Sequence, residues 1–534
     1  MEKLSLREIA AQLGCPQPPE GEITRVITDS REAGPGTLFV ALPGERVDGH
    51  DYINRALAAG AEAAVAEHDG DYTPAEKVLR VKSSLRALLE ISALYRAKMP
   101  AQVIGITGSV GKTTTKEMVA AVMASSFRII KTEGNQNNEI GAPKTLMSIT
   151  PETEVAVVEM GMSHLGEIAR MVRAARPSAG IITMIGVSHL ENLGTRENIL
   201  KAKMEICQGL PDGAPLVLNA DDDLLPTAQI PGRLRPVWFG IRSSSADVRA
   251  INIHTVGEGT GFTLVDNVDG ETYEFSVTIP TAGVHTVYDA LAAYTATTRL
   301  GLERARAARA LASYQTTGMR QNIVQHGGVT FIEDCYNASP DSMKAALQIL
   351  HDRQPGPGGR RIAVLGDMLE LGAASEPGHR QTGKRTFAQT LPGKRLSDVQ
   401  VLAADAADLP VAYGPLSAAM AEAARQKGLQ AIHCQAAEEV VEYLRQNVRP
   451  GDVVLAKASH AMKLDDVLKQ LYAALPNIIA YFGGISHGND RFLDAGCRGN
   501  RCVCRYGTFR LFCNSGTAQA ALRPDHPGIR PDLA

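Results

Sequence analysis

The sequence has no excess of charge of either sign: 55 Lys and Arg stand against 58 Asp and Glu among 534 residues, a net charge of -3. Without a Lys/Arg face to neutralise a phosphate backbone, a nucleic-acid binder is not expected, and small molecules are the expected partners. No apolar run reaches the roughly 18 residues that a membrane span requires. The first residues, Met1-Glu2-Lys3-Leu4-Ser5-Leu6-Arg7-Glu8, include acidic residues and lack an apolar core, so no signal peptide is expected either. These absences lead to an expected cytoplasmic location. Cysteine is sparse, with eight in all, and Cys15, Cys207, Cys335 and Cys434 are scattered through the first 475 residues as reduced thiols would be. That spacing indicates no disulfide framework. No internal repeat is visible.

What is present is a glycine-rich turn. Gly105-Ile106-Thr107-Gly108-Ser109-Val110-Gly111-Lys112-Thr113-Thr114-Thr115 follows a short apolar run and precedes a stretch with helical spacing over 116–123, the setting of a phosphate-binding loop. Its glycines let the backbone N–H groups face phosphates. Lys112 offers a point charge to the β/γ-phosphates, and Thr113 or Thr114 a hydroxyl to Mg2+. The strict motif would set its first glycine at Ile106, so the pattern is a variant. It points to a nucleoside triphosphate, and a loop alone names no reaction.

At about 150 residues per domain the chain has room for three or four. Residues 1–98 read as a small α/β unit, with a strand over 37–42 and a helix over 52–59 stopped by Gly60. The Lys98-Met99-Pro100 step breaks the preceding helix, and a phosphate-loop domain is expected over 99–313. Within it, strands over 154–160 and 179–185 flank a helix over 166–175, the alternation of a parallel sheet covered on both faces. Residues 250–280 turn β-rich and 288–300 helical. A third α/β unit is expected over 314–475, with strands over 329–333, 361–365 and 452–456. The segment 476–534 differs in kind. It holds seven Arg but no Lys or Glu, and four of the eight Cys, and it shows no sustained periodicity. A disordered or loosely docked tail is expected there, and the irregular spacing of Cys497, Cys502, Cys504 and Cys513 is weak evidence for a metal cluster.

In an open parallel sheet, ligands bind at the carboxyl ends of the strands. The apolar run 155–158 ends in Glu159, and the next strand runs on into Gly186-Val187-Ser188-His189. Two successive strands thereby aim a carboxylate and an imidazole at the phosphate loop, which suits a metal site.

Further signatures extend across residues 1 to about 475. They are Thr28-Asp29-Ser30-Arg31, Gly36 to Gly44 with Asp48-Gly49-His50, Asn135-Gln136-Asn137-Asn138-Glu139-Ile140-Gly141, Ala202-Lys203-Met204-Glu205-Ile206, Asp334-Cys335-Tyr336-Asn337-Ala338-Ser339-Pro340 and Leu365-Gly366-Asp367-Met368-Leu369-Glu370-Leu371-Gly372. With these the chain resembles the Mur ligase family, in particular the branch that adds D-alanyl-D-alanine to UDP-N-acetylmuramoyl-tripeptide. The Asp-Asn-Pro-Arg motif of the diaminopimelate-adding branch is absent.

The resemblance implies a three-domain α/β architecture: a UDP-sugar-binding domain, a central phosphate-loop domain with a parallel sheet, and a Rossmann-like C-terminal domain for the dipeptide. It implies an ATP- and Mg2+-dependent ligase, expected to be a monomer, in which the peptide carboxylate takes the γ-phosphoryl group and the dipeptide amine then opens the acyl phosphate. An inactive homologue, or another Mur or folylpolyglutamate-type ligase, is the alternative. By the same resemblance Lys112, Lys203, His189, Glu159 and Arg320 are the catalytic set. ATP would meet Gly108, Ser109, Val110, Gly111, Lys112, Thr113, Thr114, Asn138, His285, Asp289 and Arg320. The other substrates would meet Ser30, Arg31, Asp334, Tyr336, Asn337 and Ser339, and the metal Thr113, Glu159, His189 and Lys203 as its carbamate. Carbamylation needs a free amine, and bringing a lysine pKa from about 10.4 to near 7 corresponds to roughly 4–5 kcal/mol. The chain departs from the family pattern at Thr286 and Asp289, near the expected adenine position, and at Ala458 and His460, where relatives have Gly and Arg.

Overall fold

A computed structural model describes residues 1–475 except 17, 18, 45, 269, 317 and 387–405, together with 501–504 and 507–510. The chain divides into two compact units, Met1–Ile478 and Ile479–Ala534. In the second, the described residues form an antiparallel hairpin of Arg501–Cys504 with Gly507–Arg510. The remainder of the expected tail, including Cys497 and Cys513, lies outside the described residues.

After a short antiparallel pairing of Leu4–Ser5 with Glu22–Ile23 and the helix Leu6–Leu13, the first unit has a parallel four-stranded sheet, in the order Arg25–Ile27, Thr37–Val40, Ala63–Ala66 and Val78–Arg80. The helix Ser84–Ala97 follows, with the Ser83 hydroxyl accepting from the Arg86 N–H at its start.

A nine-stranded sheet comes next. Its strands run in the order Glu271–Ile279, Gly259–Val268, Val248–Val256, Arg235–Gly240, Pro215–Asn219, Ala179–Ile182, Gln102–Thr107, Val155–Glu159 and Ile129–Lys131. From Ile129–Lys131 to Val248–Val256 every pairing is parallel, and the last two strands add antiparallel hairpins at the far edge. Val103, Ile104 and Ile106 of the central strand are fully buried, the continuous apolar run of a strand covered on both faces. Each such side chain contributes about 1.5–3 kcal/mol by leaving water, and truncating one to Ala costs about 2–5 kcal/mol.

Gly111, at φ +89, turns the chain straight into the helix Lys112–Ala124. That helix starts four residues before the apolar spacing indicated, because its first turn, Lys112-Thr113-Thr114-Thr115, is polar. It packs on the helix Val284–Arg299. The latter also begins earlier than its apolar pattern, after Gly283 at φ +102, which puts His285 and Asp289 in its first two turns.

The C-terminal part is a six-stranded sheet in the order Asn322–His326, Val329–Asp334, Val453–Lys457, Arg361–Gly366, Leu409–Tyr413 and Ile432–Cys434. All of its pairings are parallel except that of the first strand with the second. The helix Pro340–Asp352 begins with Pro at its first position and a capping box between Ser339 and Ser342, a sharp start that sets where the preceding loop ends. Among the described residues no helix is long and apolar enough to cross a membrane.

Candidate functional site

Three adjacent strands of the nine-stranded sheet, Val155–Glu159, Gln102–Thr107 and Ala179–Ile182, end side by side. The residues that follow them form the site. Gly108 has φ +149 and Gly111 φ +89, both open to glycine and strained for other residues. A Cβ on Gly108 would lie 1.8 Å from Thr183 Oγ1, and one on Gly111 2.4 Å from Asp289 Oδ1. The loop is held from the next strand: Thr183 Oγ1 donates to the Val110 carbonyl at 2.5 Å, and the Ser109 N–H to the Met184 carbonyl at 2.9 Å. Ser109 Oγ and Thr107 Oγ1 are buried with no hydrogen-bond partner, so the loop retains unspent polar groups.

Lys112 Nζ folds back over the loop and donates to the Gly108 carbonyl at 2.8 Å. Burial holds its pKa below the usual lysine value, against the attraction of Glu159, and Arg320 adds to the depression. Thr113 Oγ1 donates to Glu159 Oε2 at 3.0 Å, and Asn137 Nδ2 to Glu159 Oε1 at 2.8 Å. Buried Lys116 stands 3.7 Å from Glu159 Oε2 and donates to the Thr132 carbonyl at 2.8 Å. Thr114 faces Tyr314.

Lys203 sits near the end of the helix Arg196–Met204, which Thr195 caps by accepting from the Asn198 N–H. It is 1% exposed and forms no ion pair or hydrogen bond among the described residues. Burial first, and the charge of Lys112 second, push its pKa well below the lysine range. A lysine that the helix pattern alone would leave in solvent is therefore a buried amine beside the phosphate loop.

His189 has φ +63, and its Nδ1 lies 2.9 Å from Glu370 Oε2. The two atoms are within hydrogen-bonding distance but do not meet the geometry of an aligned hydrogen bond. Glu370 is carried by the six-stranded sheet, and the same sheet's leading segment brings Arg320, whose guanidinium lies 3.9 Å over the Tyr336 ring. His460 stands on the same ring, at 5.6 Å between centroids and 32° between planes.

Asp289, 6% exposed, accepts from Thr115 Oγ1 at 2.9 Å. Burial raises its pKa to about 8, with Thr115 and Arg320 opposing. His285 is held down at about 4 by burial, against the pull of Asp334. Asp334 Oδ2 accepts from buried Lys457 at 2.7 Å, and Lys457 also donates to the Asn337 carbonyl at 2.9 Å.

Other expected site residues have local tasks. Asn138 Oδ1 accepts from the N–H groups of Ile140 and Gly141, opening the helix Gly141–Met147. Asn337 Oδ1 accepts from the Ala338 N–H, and Ser339 caps its helix. Ser30 and Arg31 belong to the N-terminal part, where they lie in a 3-10 turn and Arg31 pairs with Asp29. Asp48, His50 and His68 cluster closely enough to suggest a metal. His50 Nδ1 meets Asp48 Oδ1 at 2.6 Å and its Nε2 accepts from the Glu67 N–H at 3.0 Å. Both ring nitrogens are thereby committed, and the cluster is a hydrogen-bonded support.

Sequence reasoning assigned no role to Lys116, Thr183, Lys457 or Glu370. Glu370 did lie inside a quoted signature, and Lys116 falls one helical turn after Lys112.

A phosphate loop at the switch of a parallel sheet, with a carboxylate and an imidazole on the neighbouring strand ends, defines a P-loop nucleotide-binding protein. Comparison with known proteins narrows that class. Residues 22–99 match the model of the Mur ligase family catalytic domain, 106–297 the Mur ligase middle domain and 319–460 the Mur ligase glutamate ligase domain. The chain is similar to UDP-N-acetylmuramoyl-tripeptide--D-alanyl-D-alanine ligase of Bacillus subtilis, 36% identical over 467 residues that cover 87% of this chain and 96% of the relative. The Escherichia coli ligase of the same name is 39% identical over 366 residues, 68% of this chain and 78% of the relative. Among solved structures, MurF from Acinetobacter baumannii superposes with a TM-score of 0.77 at 29% identity, covering 89% of this chain and 99% of that one. MurF from Thermotoga maritima in complex with ADP superposes with a TM-score of 0.72 at 29% identity, covering 84% and 97%. The chain belongs to the Mur ligase family.

Proposed function

We propose that the protein is an ATP-dependent ligase that joins D-alanyl-D-alanine to UDP-N-acetylmuramoyl-tripeptide in peptidoglycan precursor synthesis, acting in the cytoplasm as a monomer. The observation that carries this reading is the seating of one phosphate loop, Glu159 and His189 against Glu370 and Arg320 of the six-stranded sheet, in a chain similar along most of its length to ligases of that specificity. We read residues 1–98, 99–313 and 314–475 as its UDP-sugar, ATP and dipeptide domains.

The residues fit ATP and Mg2+. A Cβ would fill the cradle at Gly108 and Gly111, Ser109 Oγ is buried without a partner, and Thr113 with Glu159 presents the hard oxygens that Mg2+ takes. ATP would supply the phosphoryl group that activates the tripeptide carboxylate, and Mg2+ the neutralisation of phosphate charge. Gly108 to Thr114 bind the phosphates through backbone N–H groups and Lys112, and Arg320 faces the same charge from the other sheet. Thr113, Glu159 and His189 would hold the metal. Lys203 would join them as a carbamate, its neutral buried amine adding CO2 and losing a proton, which would put an anionic oxygen ligand where an uncharged nitrogen stood. His285, Asp289 and Asn138 line the nucleotide side, Asp334, Tyr336, Asn337 and Ser339 the dipeptide side, and Ser30 and Arg31 the UDP-sugar. Close approach of the segments that follow the two sheets, at His189–Glu191 and Glu370–Gly372, keeps water from the activated carboxyl group while the neutral dipeptide amine attacks.

The test is ATP-dependent phosphate release with defined substrates. Release that requires both the UDP-tripeptide and D-alanyl-D-alanine is the expected result. Release with the nucleotide peptide alone, or equal turnover with diaminopimelate and a dipeptide substrate, would place the protein elsewhere in the family.

A further inference from the structure

The loop 367–372 is held more tightly than a surface connection requires. Asp367, 2% exposed, accepts from the N–H groups of Leu416 and Ser417 at 3.2 and 2.7 Å and from Ser417 Oγ at 2.7 Å. The Met368 N–H donates to His379 Nε2 at 3.0 Å, and the Leu369 N–H to Ser459 Oγ at 3.0 Å. Met368 and Leu371 are buried in the core of the six-stranded sheet. Between these anchors Glu370 is lifted out at φ +65, facing His189 at φ +63. A non-glycine residue in this region is strained and persists where its surroundings over-determine it. Two such residues meet here from different sheets.

The approach is close on both sides. The Glu191 N–H reaches toward the Glu370 carbonyl at 3.4 Å, and a Cβ on Gly372 would lie 3.0 Å from Glu191 Cα. His189 Nδ1 is buried and has no aligned hydrogen bond, while Glu370 Oε2 is 2.9 Å away. A small rotation of either side chain aligns them, as commonly occurs when a site tightens around its substrates. An imidazole that donates through Nδ1 is fixed in tautomer and orientation and presents Nε2 as its lone-pair nitrogen.

We propose that Glu370 is a positioning residue: its carboxylate takes the Nδ1–H of His189 across the seam between the six- and nine-stranded sheets, so that the imidazole is set for the phosphate site only when the two sheets are apposed. The role rests on the ligase reading. It places Glu370 in no contact with substrate, and its effect on the reaction passes through His189.

The experiment is a double-mutant cycle on the full chain with Glu370→Ala, His189→Ala and the pair, alongside Glu370→Gln, which keeps a neutral acceptor. Phosphate release gives kcat and KM, calorimetry gives ADP affinity, and nitrogen-15 spectra of histidine-labelled protein report the His189 tautomer, assigned by its loss in His189→Ala. Glu370→Ala is expected to lose about 10–100-fold in kcat, the usual effect of removing a partner that orients a ligand side chain, with ADP affinity unchanged and Glu370→Gln retaining most activity. The pair should be no slower than His189→Ala alone, and the Nδ1–H signature of His189 should vanish in Glu370→Ala. Multiplicative losses in the pair, weakened ADP binding, or a tautomer indifferent to Glu370 would overturn the proposal. Should the unaltered protein release no phosphate with both peptides, the ligase reading fails, and the imidazole signal still decides whether Glu370 sets His189.

Discussion

Replacing Asp289 with Asn should stabilise the protein, and more so as pH rises. The carboxyl is buried against Gly111 and Thr115, and burial raises its pKa from 3.8 to about 8. A carboxyl raised in the folded state behaves oppositely to the salt-bridged kind. Below pH 4 it is protonated in both states and contributes nothing. Between pH 4 and 8 the unfolded chain ionises while the folded one keeps its proton, so stability falls with each unit of pH, and above 8 the loss is complete. At 1.36 kcal/mol per unit the full shift corresponds to about 6 kcal/mol, and relaxation with water entry is expected to leave about 2–3 kcal/mol of this. Asn has the same shape and still accepts from Thr115, but it does not ionise. For a unit of about 200 residues, at about 2–4 °C per kcal/mol, the Asn variant should melt about 5–10 °C higher at pH 9 and within about 1–2 °C of the parent near pH 4–5. Thermal unfolding of both proteins at one-unit steps from pH 4 to 9 and constant ionic strength reads this directly. Parallel curves would refute the reasoning, because they would mean that Asp289 titrates alike in the folded and unfolded chains. The same ionisation sets a negative charge against the phosphate loop, so ADP affinity of the parent should weaken above pH 8 while that of the variant should not.

Lys112→Ala should abolish ligation with no change in far-UV circular dichroism, since among the described residues its side-chain hydrogen bonds go to loop carbonyls and hold no core element; near-normal turnover of the pure variant would remove it from the site. Lys203→Ala should be inactive and partly restored by acetate or another short carboxylate, and a fully active variant would rule out the metal role. Gly108→Ala should lose ADP binding at least as severely as activity, because the added methyl meets Thr183 Oγ1 at 1.8 Å; calorimetric titration with ADP decides it. Removing residues 480–534, which belong to the second compact unit, should leave turnover and melting temperature nearly unchanged, and a collapse of either would show that the segment matters.

The parts legible from sequence are those that depend on neighbours along the chain. Gly108 and Gly111 are required by backbone angles that other residues avoid, the apolar run before them is required by burial on both faces, and Glu159 is placed by the length of its strand. These local demands, with the family's signatures, were enough for the α/β class and for the nucleotide. What the tertiary structure decided are contacts between residues remote in sequence. Lys203, which only the family resemblance placed at the metal, and Lys116, to which sequence reasoning assigned no role, are buried by packing beside Lys112 and Glu159. Asp289 reads as a helix residue until the helix Val284–Arg299 lays it under Gly111. Glu370 meets His189 only because two separate sheets face each other. Burial and charge proximity are properties of the assembled fold, and sequence spacing carries no information about how far one element lies from another in space.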